Sequence, residues 1–241
     1  MNIKILTLNI EGDKHIPAIA SLLRKEQPNI ICFQEIFEQD FYQFQKTYQM
    51  HGLFQSTINV NQGGIPGYHA RGNMGVAILS KFSGPLGGEY FFKRKSKSIP
   101  LYKGSPNSGH RMLLWQTIGF LGKQITISTT HFTWSAGGKT TALQRQQLSS
   151  LFRLLDKVKP NILCGDFNAP RGGEIYSALS KRYVDNIPLD IKSTIDPDLH
   201  YSHGKVALVV DGFFSTPGII VKNIKLLGGV SDHLAIVGIV A

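Results

Sequence analysis

The sequence has 241 residues, of which 42% are apolar and 17% are charged, and it contains 25 glycines. This composition excludes a disordered chain, and no apolar run approaches the length of a transmembrane segment. A chain of this length can bury roughly 70–75% of its unfolded surface, so we expect a single domain over residues 1–241. The 26 lysines and arginines exceed the 16 aspartates and glutamates and give a net charge of +10. This charge favours an anionic partner such as nucleic acid, a phosphorylated metabolite or an acidic membrane.

Two features of the sequence indicate a cytoplasmic protein. The chain begins MNIKILTLNIEGD, where the apolar run is too short for a secretory signal and Glu11 and Asp13 follow it at once. Cys32 and Cys164 both lie in apolar runs, as is typical of reduced cysteines in a protein core. We also expect a monomer.

The N-terminal part of the sequence has the pattern of a βαβ unit. KILTLNI (4–10) and NIICFQE (29–35) are predicted strands, and residues 15–26 place apolar side chains on one helical face between them. A second predicted helix carries an aromatic stripe at the spacing i, i+4, i+7 and i+11, which is most simply a core-facing stripe. Its members are Phe37, Phe41, Phe44 and Tyr48.

The remainder of the sequence alternates strand-like and helical patterns. Strands are predicted at 74–80, 112–121, 124–132, 162–164, 207–216, 219–227 and 233–240, helices at 140–158 and 174–182, and an irregular segment at 183–205. About ten strands and four helices are more strand than a doubly wound sheet usually holds. We therefore predict a four-layer α/β sandwich, in which two packed, mostly antiparallel β-sheets are flanked by helices.

Polar side chains recur where the predicted strands end. In NILCGDFNAP (161–170) a buried apolar run is followed, one glycine later, by Asp166 and Asn168. A charge left there without a partner would cost several kcal/mol, so these residues have partners or a function. The same pattern occurs at Asn9, Glu35, His131, Asp211, Asp232 and His233. Ligands of α/β proteins bind beyond strand ends, so these side chains are expected to converge.

Each of these residues alone has an equally good structural explanation. Asn9 could cap the following turn, Glu35 could stabilise the start of a helix, and His131 could be a hydrogen-bonded core histidine. Together they supply carboxylates, amides and two imidazoles, a set that suits Mg²⁺ or Mn²⁺ and lacks the Cys/His spacing of zinc sites.

An ordered series of motifs makes the pattern specific. NIICFQE, GVAILS, TTHF, CGDFNAP, VVDGFFST and GVSDH occur in this order over nearly the whole chain. The series resembles the endonuclease/exonuclease/phosphatase superfamily, whose fold is that of pancreatic deoxyribonuclease. A lone GDFN or SDH would mean little, whereas the ordered set is a strong signal. The resemblance implies a Mg²⁺- or Mn²⁺-dependent phosphodiesterase, which hydrolyses a phosphate ester by the in-line attack of water.

The resemblance also implies roles for the polar residues. Glu35 would be the main metal-ligating carboxylate, with Asn9 and Asp232 in or near the metal's shell. Asp166 would be the general base, and Asn168 would help to orient the attacking water and hold the phosphate.

The histidines would act on the phosphate. His233 would contact a non-bridging oxygen, while Asp211 would accept its other N–H and so determine its tautomer. His131 would assist the leaving group or the phosphate, and Asn73 offers a candidate amide to orient it.

Two further assignments concern substrate contacts. Arg111 is a candidate phosphate clamp, with an ordinary surface arginine as the equal alternative. Thr194, in the segment 183–205 where we expect substrate specificity to be determined, is a candidate phosphate contact. Four other polar residues of that segment are expected to be loop residues: Asp185, Asp196, His200 and His203.

The substrate is less specified than the chemistry. THFTW resembles the histidine-bearing branch of the superfamily, which includes deoxyribonuclease, sphingomyelinase-like and poly(A)-nuclease-like enzymes, and it disfavours repair endonucleases of abasic sites. The positive charge favours a nucleic-acid or nucleotide substrate, although the basic stretch KRKSK (93–97) is more typical of a solvated hairpin. The alternatives are a phospholipid, sphingomyelin or phosphomonoester hydrolase and, in another class, a non-catalytic nucleic-acid-binding protein.

Overall fold

The structure is a computed structural model that describes residues 2–61, 69, 71–93 and 98–241. Four of the five residues of the basic stretch at 93–97 therefore lie outside the described residues. Within the described part of the chain, no helix has both the length and the apolar character needed to cross a membrane.

The first of two six-stranded sheets is built from the two ends of the chain. Its strands are β1 (Ile3–Asn9), β2 (Ile30–Phe37), β3 (His51–Val60), β4 (Gly72–Ser80), β11 (Val221–Leu227) and β12 (Ala235–Val240). Their order across the sheet is β11-β12-β1-β2-β4-β3. Only the β1–β2 pairing is parallel among these described strands.

The second sheet is built from the middle of the chain. Its strands are β5 (Leu86–Phe92), β6 (Arg111–Phe120), β7 (Lys123–His131), β8 (Ile162–Asp166), β9 (Val184–Asp185) and β10 (Asp211–Ser215). Their order is β5-β6-β7-β8-β10-β9, and among them only β7 and β8 pair in parallel. The prediction of two mostly antiparallel sheets is confirmed.

Four α-helices cover the outer faces of the sheets. They are α1 (Ile16–Glu26), α2 (Glu38–Tyr48), α3 (Ala142–Val158) and α4 (Glu174–Ser180). The buried faces of α1 and α2 pack in one core with Leu6, Leu8 and Phe33 of the first sheet. The buried faces of α3 and α4 join a second, larger core that also fills the space between the sheets. The arrangement is the predicted four-layer α/β sandwich.

The helices begin where the sequence supplies a start signal. At the start of α3, Thr141 and Gln144 form a capping box, in which the side chain of each residue accepts a hydrogen bond from the backbone N–H of the other. Such a cap contributes about 1 kcal/mol to helix stability. In α2, Phe41 and Phe44 are buried as predicted, but Phe37 is the last residue of β2 and packs with Ile58 instead.

Two long strands have no counterpart in the sequence prediction. The edge strand β3 is half exposed along most of its length, and its buried and exposed residues alternate only weakly. The edge strand β5 contains Gly87 and Gly88, which are uncommon in strand interiors. Gly87 is required by close packing, because a Cβ there would lie 2.5 Å from ring atoms of Trp115 on β6.

Candidate active site

Three of the predicted residues lie side by side at one end of the second sheet. The strand register pairs Asp166, the last residue of β8, with His131 on one side and with Asp211 on the other. Directly paired residues point to the same face of a sheet. The pairing therefore places His131, Asp166 and Asp211 in one row across the sheet, although His131 and Asp211 are 80 positions apart in the sequence.

The first sheet contributes Asn9 and Glu35 from the ends of β1 and β2. The β2–β4 register shifts between Gln34 and Ile36, and Glu35 at this bulge has a φ of 55°. A bulge re-aims a side chain, and a left-handed backbone at a non-glycine residue costs roughly 1–3 kcal/mol. The strained residue therefore directs its carboxylate into a cavity of about 350 Å³ at the ends of the sheets.

Asp166 lies at the floor of this cavity with both carboxylate oxygens engaged. Its Oδ1 accepts the backbone N–H of Asn168 at 2.8 Å, and its Oδ2 accepts the Asn9 amide at 3.1 Å and the Asn168 amide at 3.2 Å. Asn168 adopts a φ of 49°, a conformation that asparagine tolerates well, and also donates to the carbonyl of Phe132. The carboxylate is 1% exposed, so its orientation is determined by these contacts.

Two imidazoles approach Asp166 from different sides. Nε2 of His131 lies 3.5 Å from Asp166 Oδ2 and 3.7 Å from Glu35 Oε1. Nε2 of His233 lies 3.9 Å from Asp166 Oδ2, while its Nδ1 lies 2.8 Å from Asp211 Oδ2. Asp211 therefore accepts the Nδ1–H of His233 and directs Nε2 toward the cavity.

The two histidines have opposite electrostatic environments. Burial, reinforced by the positive charges of Arg111 and His233, holds the pKa of His131 well below its usual range. Burial also opposes the charged form of His233, but the Asp211 and Asp166 carboxylates outweigh it and raise the pKa of His233 well above its usual range. At neutral pH the site therefore contains one neutral imidazole and one imidazolium.

The pKa of Asp166 suits proton transfer near neutral pH. Burial raises this pKa to about 7, with repulsion from Asp211 adding to burial and attraction by His233 opposing it. A general base works best when its pKa lies near the working pH. The assignment of Asp166 as the general base remains a prediction, and a pKa near neutrality is compatible with it.

The carboxylates around the cavity form a site that fits a hard divalent cation. Burial, opposed by the attraction of His233 and assisted by the negative charges of Glu11 and Glu35, raises the pKa of Asp232 to about 6. Oxygen donors crowded in this way are the ligands that Mg²⁺ and Mn²⁺ prefer. Glu35 and Asp232 could hold such an ion.

Asn9 has a more specific place than the sequence indicates. Its side-chain NH₂ group donates to Glu35 Oε1 at 3.3 Å as well as to Asp166, and its side-chain Oδ1 accepts the backbone N–H of Glu11. Asn9 therefore orients two carboxylates. The hydroxyl of Ser231 connects the backbone carbonyl of Asn9 to the Asp232 carboxylate.

A second group of potential ligands is less suitable for a cation. Ligand atoms of Asp166, Asp211 and His233 all lie within 4.8 Å of one another. However, Asp211 and His233 already share a proton, and a cation placed between them would have to replace it.

Arg111 is a buried residue of the cavity wall rather than an ordinary surface arginine. It is 4% exposed, and its guanidinium donates to the carbonyl of Pro106 at 2.8 Å and to Asn107 Oδ1 at 3.1 Å. Its charge also reaches His131, whose pKa it lowers. It lies where it could reach a phosphate and also anchors the loop before β6.

Two residues that the sequence assigned to the site, Asn73 and Thr194, are not among the described residues that line the cavity. Asn73 donates to Glu38 Oε2 at 3.1 Å and accepts from Asn59, and it is not among the described residues that line the cavity. The prediction that Asn73 orients His131 is therefore corrected, because its amide is engaged by β3 and α2.

Thr194 is the second such residue. It is fully buried, and its hydroxyl accepts the backbone N–H groups of Val210 at 3.0 Å and Asp211 at 3.1 Å. In the structure, the Thr194 hydroxyl stabilises the backbone at the start of β10, and it is not directed into the cavity as a phosphate contact would be.

The cavity is also lined by residues that the sequence did not single out as functional. They are Glu11, Lys14, Trp134, His200 and Tyr201, among others. Glu11 could have been found from its place two residues after Asn9, at the end of the same strand. The segment 183–205, in which we expect substrate specificity to be determined, contributes His200 and Tyr201 to the cavity, but it has no periodicity that would single out these two residues.

The sequence model of the Endonuclease/Exonuclease/phosphatase family matches residues 6–233. The chain belongs to this family. The resemblance inferred from the ordered motifs is thereby confirmed. A search of curated proteins finds no match.

Solved structures of the family share the whole fold at low sequence identity. A family member from Bacteroides vulgatus has a TM-score of 0.75 and 14% identity and covers 100% of this chain and 99% of its own. A mannosyl-6-phosphatase from Bacteroides thetaiotaomicron has a TM-score of 0.68 and 15% identity, with 99% of each chain covered. ANGEL2, a 2′,3′-cyclic phosphatase in complex with adenosine-2′,3′-vanadate, has a TM-score of 0.69 and 15% identity, with 100% and 95% covered. These likenesses show the fold.

Proposed function

We propose that this protein is a Mg²⁺- or Mn²⁺-dependent phosphodiesterase whose substrate is a nucleic acid or a nucleotide. The observation that carries the proposal is the environment of Asp166. Its buried carboxylate is held on both oxygens, has a pKa raised to about 7 and lies between a neutral and a protonated imidazole. A phosphodiester is a stable anion, so its hydrolysis requires an activated water and a concentration of positive charge.

The residues of the site divide these tasks. Asp166 accepts a proton from the attacking water, which Asn168 helps to orient. His233, protonated and held by Asp211, donates from Nε2 to a non-bridging phosphate oxygen. His131, neutral and next to Arg111, donates a hydrogen bond to the phosphate or to the leaving oxygen and keeps its proton.

A divalent cation would be held by the carboxylates of Glu35 and Asp232, with Asn9 orienting Glu35. When bound, such an ion supplies positive charge to the phosphate and to the departing oxygen. This placement is supported by the burial of Asp232, which raises its pKa, and by the smaller contributions of the nearby Glu11 and Glu35 carboxylates, which raise it in the same direction.

The preference for nucleic acid or nucleotides is supported by the net charge of +10 and by the adenosine ligand of ANGEL2. Phosphomonoester hydrolysis is a second candidate, because the mannosyl-6-phosphatase shares the fold over 99% of this chain. We also propose a monomer in the cytoplasm. Cys32 and Cys164 are both buried as free thiols, which suits a reducing compartment.

One substrate panel tests the proposal. Purified protein is assayed with Mg²⁺, Mn²⁺ or EDTA on bis-p-nitrophenyl phosphate, DNA, RNA, sphingomyelin, inositol phosphates and mannose 6-phosphate. We expect metal-dependent hydrolysis of the generic diester and of a nucleic acid, and its loss in EDTA and in Glu35→Gln. Asp190→Asn, which removes an exposed carboxylate of the segment 183–205, is the matched control. Folded, metal-loaded protein that hydrolyses none of these esters would contradict the proposal, and metal-independent DNA binding without turnover would indicate the non-catalytic alternative.

A further inference from the structure

We infer that the substrate is a single-stranded polynucleotide whose bases stack on Trp134 and Tyr201 at the rim of the cavity. This inference rests on the proposed function and assigns the substrate class that the same site takes. Aromatic side chains that stack on bases are a general device for binding single strands without sequence preference.

The exposed aromatic residues are concentrated at this site. Among the described residues, the aromatic side chains most exposed to solvent are Tyr42, Trp134 and Tyr201, at 57%, 37% and 76%. Two of these three line the cavity that contains Asp166. Large exposed apolar side chains grouped at a cavity mark a binding surface.

Trp134 is held in place by a pair of hydrogen bonds. Its backbone N–H donates to Asn107 Oδ1 at 3.1 Å, and its carbonyl accepts the Asn107 amide at 2.9 Å. Asn107 Oδ1 also accepts from Arg111, so the Trp134 segment is connected directly to the cavity wall. Because the backbone of Trp134 is already held, less conformational entropy is lost when a base stacks on its side chain.

Tyr201 is supported by the side chain of His200. The two rings have centroids 4.1 Å apart, and His200 is 8% exposed while Tyr201 is 76% exposed. Nδ1 of His200 lies 2.7 Å from Ser202 Oγ and accepts the Ser202 backbone N–H at 3.2 Å. The buried imidazole of His200 thus packs against the exposed ring of Tyr201 and supports it.

Exposed lysines adjoin three of the segments that line the cavity. Lys103, Lys139 and Lys205 are exposed, and each is the neighbour in sequence of a residue that lines the cavity. Lysines distributed around aromatic platforms attract the phosphates on either side of the cleaved one. This combination favours a polyanion over a zwitterionic lipid such as sphingomyelin.

The depth of the site favours a single strand over a duplex. Asp166, which we propose as the base, is 1% exposed, whereas the two rings lie at the rim. One phosphate must therefore descend into the cavity while its neighbouring bases remain above. A flexible strand can do this with its base faces free to stack, whereas in a duplex those faces are covered by neighbouring base pairs.

Kinetics on matched substrates test the inference. The wild type, Trp134→Ala, Tyr201→Ala and Tyr201→Phe are assayed on a short single-stranded oligonucleotide and on the same sequence as a duplex. Tyr42→Ala is the control, since it removes an exposed aromatic ring outside the cavity. We expect each alanine variant at the rim to raise KM for the single strand about tenfold, while Tyr201→Phe and Tyr42→Ala match the wild type. Turnover of the duplex is expected to be low and insensitive to all four substitutions.

The outcomes separate this inference from the proposed function. If the wild type hydrolyses bis-p-nitrophenyl phosphate but the rim variants leave KM for the single strand unchanged, the inference is overturned and the proposed function stands. It is also overturned if the variants lose turnover of sphingomyelin vesicles instead. If no ester is hydrolysed, the proposed function fails, and quenching of tryptophan fluorescence by the oligonucleotide in EDTA still tests the inference, with Trp134→Phe showing how much of the signal comes from Trp115. Quenching that Tyr201→Ala weakens would support it, and quenching unaffected by that change would overturn it.

Discussion

Nδ1 of His233 donates to Oδ2 of Asp211 across 2.8 Å, and both side chains are buried. The pairing gives His233 one tautomer and a pKa well above its usual range. A buried ion pair of this kind is costly in desolvation free energy unless its geometry is good and its remaining hydrogen-bonding groups also find partners. Here it directs a charged N–H of His233 toward the cavity.

Asp211→Asn is expected to lower kcat about 10- to 100-fold, the usual effect of removing a partner that orients a functional histidine. Because the carboxylate raises the pKa of His233, its loss lowers that pKa. Activity that needs the protonated imidazole is then lost at lower pH, so the alkaline limb of the pH–rate profile moves toward acid. A uniform loss of activity with an unmoved limb would show that Asp211 acts only on folding.

Asp166→Asn is expected to keep the fold and to lower kcat by about 10²–10⁴-fold, because an amide cannot accept the proton of water. The measurement is steady-state kinetics together with a thermal unfolding curve. Asp190→Asn serves as control. A variant that unfolds, or one that remains fully active, would contradict the assignment of Asp166 as the base.

Asp232→Asn is expected to change how the stability of the metal-free protein depends on pH. The pKa of Asp232 is raised to about 6 in the folded protein from 3.8, so its contribution to stability is complete below pH 3.8 and is lost as pH rises through 6. The wild type should therefore lose about 1–3 kcal/mol more than the variant between pH 4 and pH 7.

Urea unfolding at several pH values in EDTA checks this expectation. Adding Mg²⁺ at neutral pH should stabilise the wild type more than the variant, because the ion neutralises the carboxylates that repel one another. Parallel stability curves for the two proteins, with and without Mg²⁺, would rule out Asp232 as part of the cation site.

Thr194→Val is expected to destabilise the fold by about 1–3 kcal/mol, because two buried N–H groups at the start of β10 lose their acceptor. Thr194→Ser keeps the hydroxyl and should restore most of the loss. Unfolding in urea gives the free energies, and kinetics on the folded fraction give KM. A raised KM with unchanged stability would instead favour the phosphate contact that the sequence suggested.

The sequence was most informative where chemistry and strand ends coincide. NILCGDFNAP predicted a buried strand that ends in a functional carboxylate, and Phe167 between Asp166 and Asn168 is fully buried, as strand alternation requires. The order of the motifs also predicted the family and the layered fold. These features are local and repeated, so they can be read from a single chain.

The sequence was least informative where tertiary contacts decide a role. Asn73 and Thr194 carry polar groups that suit a phosphate, but neighbouring strands and helices engage them instead. Glu35 reaches the cavity through a bulge, whose position depends on pairing with β4. His200 and Tyr201 lie in an irregular segment, where no periodicity relates sequence to position.

The row formed by His131, Asp166 and Asp211 has a consequence for how members of this family diversify. The spacing of these three side chains is determined by backbone pairing between adjacent strands, which lie about 4.8 Å apart in any sheet. The rim segments that carry Trp134 and Tyr201 are loops outside this pairing. Exchanging those loops for loops of another family member should therefore transfer substrate preference while the reacting groups keep their spacing.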